Sequence, residues 1–458
     1  MNDPGQIPHS PYLPLDPEVA AYNSTSGHLT PWEFAGWQKE VMSWKDTAYL
    51  HAGLNPTYPY KISGPDAMKL FADTCVNSFA KFSIGGSKHA VMCNAQGNIM
   101  AHGMLLRTGE DEFITFYLSP YINYFVDSGK YDVKGEDLTG QVFMFQVAGP
   151  RSLEILEAAL QEDLHDIKFL RHRPAQITVE SGQVVDIKVL RIGMAGSLAY
   201  EVHGRIEDAL PVYAKILQAG QPFGVERIGM LVYGMNHTEN GFPQVAIHFM
   251  AAWHQDPDFI AYLGEAMDYY AGHFAQLEGS AGPDLAARYS NPIDLGWSHV
   301  VKFDHDFIGR EALAALVAAP RRAVVTLIWN VQDILDVYAS FFEKGPAHDF
   351  MTFQADTIWS KNGMVSHVDE VLKDGVRVGL SMGRVYSYYY RAMISLCPID
   401  IAHADLGGEV EIVWGEPGAR QKKIRATVAR FPIFDLPRNE HIDVSAIPRL
   451  AGAVALDA

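Results

Sequence analysis

Cysteine is nearly missing from this chain. Cys75, Cys93 and Cys397 are the only three in 458 residues and stand far apart, outside any Cys-x-x-Cys spacing. That leaves no basis for a disulfide framework or a structural zinc site, and a reducing cytoplasm is the expected setting. Positive charge is in deficit too: 36 Lys and Arg against 54 Asp and Glu give a formal charge of -18, with no basic tract to offset it. Nucleic acid and anionic membrane surfaces are therefore not expected partners. No apolar run reaches the roughly 18 residues of a membrane span, and "MNDPGQIPHSPYLPLDPEV" has Pro and acids where a signal peptide needs a basic then an apolar stretch. G-x-x-x-x-G-K-[ST], helix-opening G-x-G-x-x-G, H-E-x-x-H and G-x-S-x-G are all absent, so ATP, NAD, metalloprotease and Ser-hydrolase chemistry lack a signature. Asp304, His305 and Asp306 are too adjacent to converge on one metal, and no metal is expected.

What is present is an ordinary globular composition, 48% hydrophobic, enough to bury a sizeable core. "GPDAMKLFADTCV" places Pro65 in a helix first turn with Met68, Leu70, Phe71 and Ala72 on the apolar face. "EFITFYL" and "VFMFQVAG" are predicted buried strands, and the second runs into a helix with Leu153, Leu156 and Leu160 on one side. "VVDIKVLRI" alternates like a half-buried strand, and a helix ends at Gly220. "AVVTLIW", "GEVEIVW" and "KIRATVARF" predict a β-rich C-terminal lobe, barrel or sandwich. The fold class is α+β. We divide the chain into an N-terminal arm over 1–45, two interleaved α+β lobes over 46–300 and the β-rich lobe over 301–458.

"KFDHDFIGREAL" resembles a segment of the folate-binding T-protein family, the aminomethyltransferases of glycine cleavage and their relatives. "ISGPDAMKLF", "FQVAGPRSLEIL" and "GMAGSLAYEVHG" resemble other segments of that family in the same order. The resemblance implies a three-lobed cloverleaf around a central hole that admits a pteridine. Within the family, "LVYGMNHTENGF" is similar to the branch of tetrahydrofolate-dependent aryl O-demethylases acting on vanillate and syringate, and Tyr233 matches that branch's catalytic tyrosine. Glu201 matches the glutamate that binds the pterin edge, a carboxylate able to accept two parallel N–H bonds.

Three positions depart from that branch. Leu118 stands where a substrate-carboxylate arginine is expected, Pro56 beside Asn55 replaces a phenol-handling histidine, and His102 replaces a folate-side aspartate. The resemblance thus implies a neutral, aromatic substrate site formed by Asn55, Tyr58, Tyr60, Tyr117, Leu118 and Phe169. Tyr233, His102 and His237 are its catalytic candidates. The expected substrate is a small phenolic aromatic from lignin, and homo-oligomerisation stays open. Two reactions follow, both removing a one-carbon unit. A folate-independent C–C lyase would release formaldehyde from the hydroxymethyl group of a diaryl compound and need no cofactor. The alternative, an O-demethylase, would pass a methyl to tetrahydrofolate. The departures favour the lyase; a non-catalytic folate-binding role is the third reading.

Overall fold

Strongly alternating segments become strands that pair mostly antiparallel, and 3.6-period segments become helices laid over them. This is visible in a computed structural model describing residues 7–194, 196–264, 276–356, 359–360 and 363–450. The predicted helix after Pro65 spans Ala67–Thr74 and buries Leu70 and Phe71. "VFMFQVA" forms the strand Val142–Ala148, followed by the helix Ser152–Leu160, which buries Leu153 and Leu156. In the strand Val184–Leu190, Val185, Ile187 and Val189 face inward, alternating with exposed Val184 and Asp186 and half-buried Lys188. Each such buried side chain contributes about 1.5–3 kcal/mol relative to exposure.

Three sheets organise the molecule. A six-stranded sheet runs in the order His172–Thr178, Val184–Leu190, Ala199–Arg205, Val142–Ala148, Ala48–His51 and Val225–Arg227. A five-stranded sheet orders Ser87–Cys93, Ile99–Arg107, Glu112–Phe116, Tyr60–Ser63 and Lys134–Asp137. The third sheet decides between barrel and sandwich. Its strands Gly363–Lys373, Val376–Ser387, Ala392–Asp400, Arg322–Trp329, Lys422–Ala429 and Glu409–Trp414 close on themselves where Val371 and Leu372 pair with Ile412 and Glu411. The C-terminal lobe therefore contains a closed six-strand barrel.

The arm is more ordered than the lack of period predicts. Ala21–Thr25 and His28–Glu33 form a hairpin, and the helix Trp37–Asp46 follows. No helix among the described residues is long and apolar enough to cross a membrane.

The helix Met230–Asn240 is central. All eleven of its residues are buried, so the polar run "NHTEN" cannot be a solvated face. Thr238 Oγ1 donates to Gly383 O in the barrel at 2.6 Å, Glu239 pairs with Lys45 Nζ at 2.6 Å and accepts from Ser387 Oγ, and Asn240 Nδ2 donates to Met194 O. These side chains join the barrel to the N-terminal half. The barrel backbone can come this close because Gly383 lacks a Cβ, which would lie 2.5 Å from His248 Nε2.

Candidate active site

A cavity of about 1090 Å³ lies between these sheets, lined by residues of both N-terminal sheets, the central helix and the C-terminal segment around Phe431 and Arg438. Its volume slightly exceeds the roughly 300–1,000 Å³ usual for one small-molecule ligand. Tyr233 and His237 are four residues apart on the central helix, so they share a face, and both line the cavity. The Tyr233 ring stacks on His51 with centroids 4.6 Å apart and planes 4° from parallel, and its edge meets His237 at 5.1 Å and 84°. His51 is fixed in turn, because its Nδ1 lies 2.9 Å from Ile228 O and a carbonyl can only accept. Burial holds the Tyr233 phenol well above 10, helped by Tyr117, Tyr49 and Glu201 and opposed by Gln146. The Tyr233 hydroxyl is thus protonated at neutral pH.

His237 and His102 are neutral. Burial pushes His237 down to about 4, against a lesser opposing effect of its hydrogen bond to Phe242. Burial, with His89 and His237 adding to it, holds His102 well below 6.5. His237 Nδ1 lies 2.9 Å from Phe242 O, which assigns the proton to Nδ1 and leaves a lone pair on Nε2. Neither His237 Nε2 nor His102 Nε2 has a partner among the described residues. Glu201, 4% exposed, is oriented by two donors, Gln146 Nε2 at 3.2 Å and His203 Nε2 at 3.0 Å. Each of its oxygens keeps acceptor capacity toward the cavity.

Of the remaining expected site residues, Tyr58, Tyr117 and Phe169 line the cavity, whereas Asn55, Tyr60 and Leu118 do not. Asn55 is a structural clasp: its Nδ2 donates to Ala52 O and Met144 O, and its Oδ1 accepts from Met144 N. Tyr60 covers Gly135 on the neighbouring strand and packs in the core of the five-stranded sheet. Leu118 is fully buried in that same core with Phe113 and Ile122. Tyr117 explains the last displacement. Its φ of 64° breaks the strand alternation, turning tyrosine toward the cavity and leucine away from it.

Sequence reasoning missed His51, His89, Gln146 and Trp297, and of these His51 alone lies outside the cavity lining. Histidine count gave no signal, because spacing cannot say which strands pair. Among the described residues, Glu157, Asp163 and His165 could together hold a metal ion. Their contacts read as a clamp on the C-terminal segment: His165 Nδ1 lies 2.7 and 2.9 Å from the two carboxylates, its Nε2 lies 3.0 Å from Ile447 O, and Arg449 pairs with Asp163.

The buried histidines make stability pH-dependent. Burial lowers His51 and His237 to about 4 in the folded chain, against roughly 6.5 unfolded. A folded value below the unfolded one means the unfolded chain binds more protons in between, so stability rises with pH. It is expected to be complete above about pH 6.5 and to fall toward pH 4 by up to roughly 1.4 kcal/mol per unit for each histidine. Urea midpoints across this range measure it, and a flat profile between pH 7 and 5 would show these rings already charged or hydrated.

The GCVT N-terminal domain model matches residues 16–250. Sesamin methylene transferase of Sinomonas sp. (strain No.22) is 44% identical, covering 92% of this chain and 94% of that one. Syringate O-demethylase of Sphingobium sp. (strain NBRC 103272 / SYK-6) is 30% identical over 90% and 92% of the two chains. Among solved structures, the glycine cleavage system aminomethyltransferase T from Bartonella henselae matches with a TM-score of 0.65 at 17% identity, over 93% of this chain and 95% of that one.

Proposed function

This chain belongs to the GCVT aminomethyltransferase family and is an enzyme of it, and from that premise we propose that it cleaves an aryl ether and passes the released one-carbon unit to tetrahydrofolate. The observation that carries the reading is the pairing, in one cavity, of a protonated Tyr233 with the oriented Glu201 carboxylate. The relatives named for methylene transfer and O-demethylation support it.

Tetrahydrofolate fits the donor set, because Glu201 retains acceptor positions suited to the N–H edge of an aminopyrimidinone. When bound, it supplies the amine nitrogens that take the one-carbon unit. Tyr233 donates its proton to the departing aryl oxygen, so the leaving group departs as a phenol rather than a phenolate. His51 holds the ring of the donor, and Gln146 orients Glu201. The mostly apolar wall excludes water that would otherwise compete for the one-carbon unit. Leu118 supplies no cation, so a substrate carboxylate would have to reach Lys88, Lys302 or Arg438, the cationic side chains lining the cavity among the described residues. An unpaired benzoate would pay for its desolvation.

The formaldehyde-releasing lyase is the second reading, favoured by the unpartnered Nε2 atoms of His102 and His237. Removing the proton of an alcohol asks for a strong base, and burial makes these rings weak ones. Ether cleavage asks for a proton held beside the departing oxygen, and burial keeps the Tyr233 hydroxyl protonated.

Anaerobic incubation with aryl methyl ethers, methylenedioxy-aromatics and hydroxymethyl-bearing diaryls, each with and without tetrahydrofolate, separates the two. One-carbon folate formed in step with free phenol, only when folate is added, is the expected result. Formaldehyde from a diaryl without folate would overturn it in favour of the lyase.

A further inference from the structure

His89 lies beside His102 in the cavity wall and has no part in the chemistry assigned to Tyr233 and Glu201. The strands Ser87–Cys93 and Ile99–Arg107 pair with Val91 opposite His102 and His89 opposite Met104. His89 and His102 are therefore diagonal neighbours on one face of the sheet, within reach of two aromatic rings. His89 Nε2 lies 3.1 Å from His102 Nδ1. Trp297 braces both, 4.7 Å from His89 and 5.0 Å from His102 between ring centroids. The outer nitrogen of His102, Nε2, has no partner among the described residues, and both rings line the cavity.

A neutral imidazole carries one N–H and one lone pair. A hydrogen bond between two such rings therefore exists in two forms. With the proton on His89 Nε2, His102 presents an Nε2–H to the cavity; with the proton on His102 Nδ1, it presents an Nε2 lone pair. One form converts to the other when a proton arrives at His102 Nε2, the Nδ1 proton passes to His89 Nε2, and the proton on His89 Nδ1 departs to water in the cavity that His89 also lines. One N–H bond forms and one breaks on each ring, and neither ring stays charged. Burial, with His299 facing His89 and with His89 and His237 facing His102, makes a lasting imidazolium costly in either place. Protons can pass through this pair but not accumulate on it.

We propose that His89 and His102 form a neutral proton relay whose cavity end is His102 Nε2. Resting on the transfer reading, it closes the proton balance: an amine N–H that gains a carbon substituent loses a proton, and the departing aryl oxygen gains one from Tyr233. The relay passes the first on to water while Tyr233 supplies the second, and Tyr233 regains its proton from water before the next turnover. His102, the aspartate replacement, is thus an added proton path rather than a lost ligand.

The test combines ¹⁵N spectra of the histidine rings in the folate-free enzyme with steady-state kinetics of His89→Phe and His89→Gln. Phenylalanine keeps the ring shape and removes the hydrogen bond; glutamine keeps a hydrogen bond to His102 Nδ1 but cannot pass a proton. The expected result for His89→Phe is shifted His102 nitrogen signals and a kcat lowered by roughly 10²-fold, the low end for a proton-transfer group, with KM little changed. His89→Gln is expected to return the His102 signals toward those of the unaltered enzyme while kcat stays low. Recovery of kcat in His89→Gln would reduce His89 to a positioning residue and overturn the relay, as would unaltered His102 signals in His89→Phe. Absence of one-carbon folate from the unaltered enzyme would instead overturn the transfer reading, and the ¹⁵N spectra do not depend on it.

Discussion

Tyr233→Phe is expected to lower kcat by about 10²–10⁴-fold, the usual contribution of a positioned proton donor, and to leave KM within a few-fold. Phenylalanine keeps the stack on His51 and the edge contact with His237, so the wall of the cavity keeps its shape. Only the hydroxyl goes. Without it, the aryl oxygen must leave as a phenolate inside a largely apolar cavity, where an unpaired charge is costly. Substrates with more acidic phenols as leaving groups should suffer less, because they need the proton less. Steady-state kinetics over a series of substituted aryl ethers, with thermal melts as a control on folding, measures both effects. Full turnover by a folded Tyr233→Phe enzyme would remove Tyr233 from the chemistry.

The second large effect is on stability. Lys45 and Glu239 are 2.6 Å apart with side chains 1% and 0% exposed. Lys45 also donates to Val41 O at 3.0 Å and lies 4.0 Å from the Trp44 ring centroid, and Glu239 accepts from Ser387. Lys45→Met strands the carboxylate of Glu239 in the interior, and removing one partner of a buried pair typically costs about 3–5 kcal/mol. Replacing both, as Lys45→Met with Glu239→Gln, leaves no buried charge and is expected to cost clearly less than Lys45→Met alone. Denaturant titration of the single and double variants tests this. Equal losses would mean that water reaches the carboxylate. The pair fastens the helix that carries Tyr233 and His237, so the single variant should also lose activity at lower temperature than the unaltered enzyme.

Part of the site was legible in the residues, and part was not. Tyr233 and His237 could be put on one face once a helix was drawn through them, because i and i+4 always share a face. The buried polar run Asn236–Asn240 could not be explained the same way. Its partners Lys45, Met194, Gly383 and Ser387 lie up to 194 positions away along the chain. Leu118 and Tyr117 show the limit at the scale of one residue. Strand alternation says that one of two neighbours faces the cavity, but the left-handed φ of Tyr117 chose which, and no pattern of apolar residues encodes that choice.

Composition and local pattern alone determined the α+β class, the main helices and strands and the β-rich C-terminal lobe, because propensity and periodicity act within about ten residues of chain. Tertiary structure alone decided that the lobe closes as a barrel, through the Val371–Ile412 pairing. It also brought His51 under Tyr233 and His89 against His102, and left Asn55, Tyr60 and Leu118 outside the cavity. The reason is common to all of these. They depend on which distant strands share hydrogen bonds, and that is set by burial of the whole apolar surface rather than by any segment's own preference.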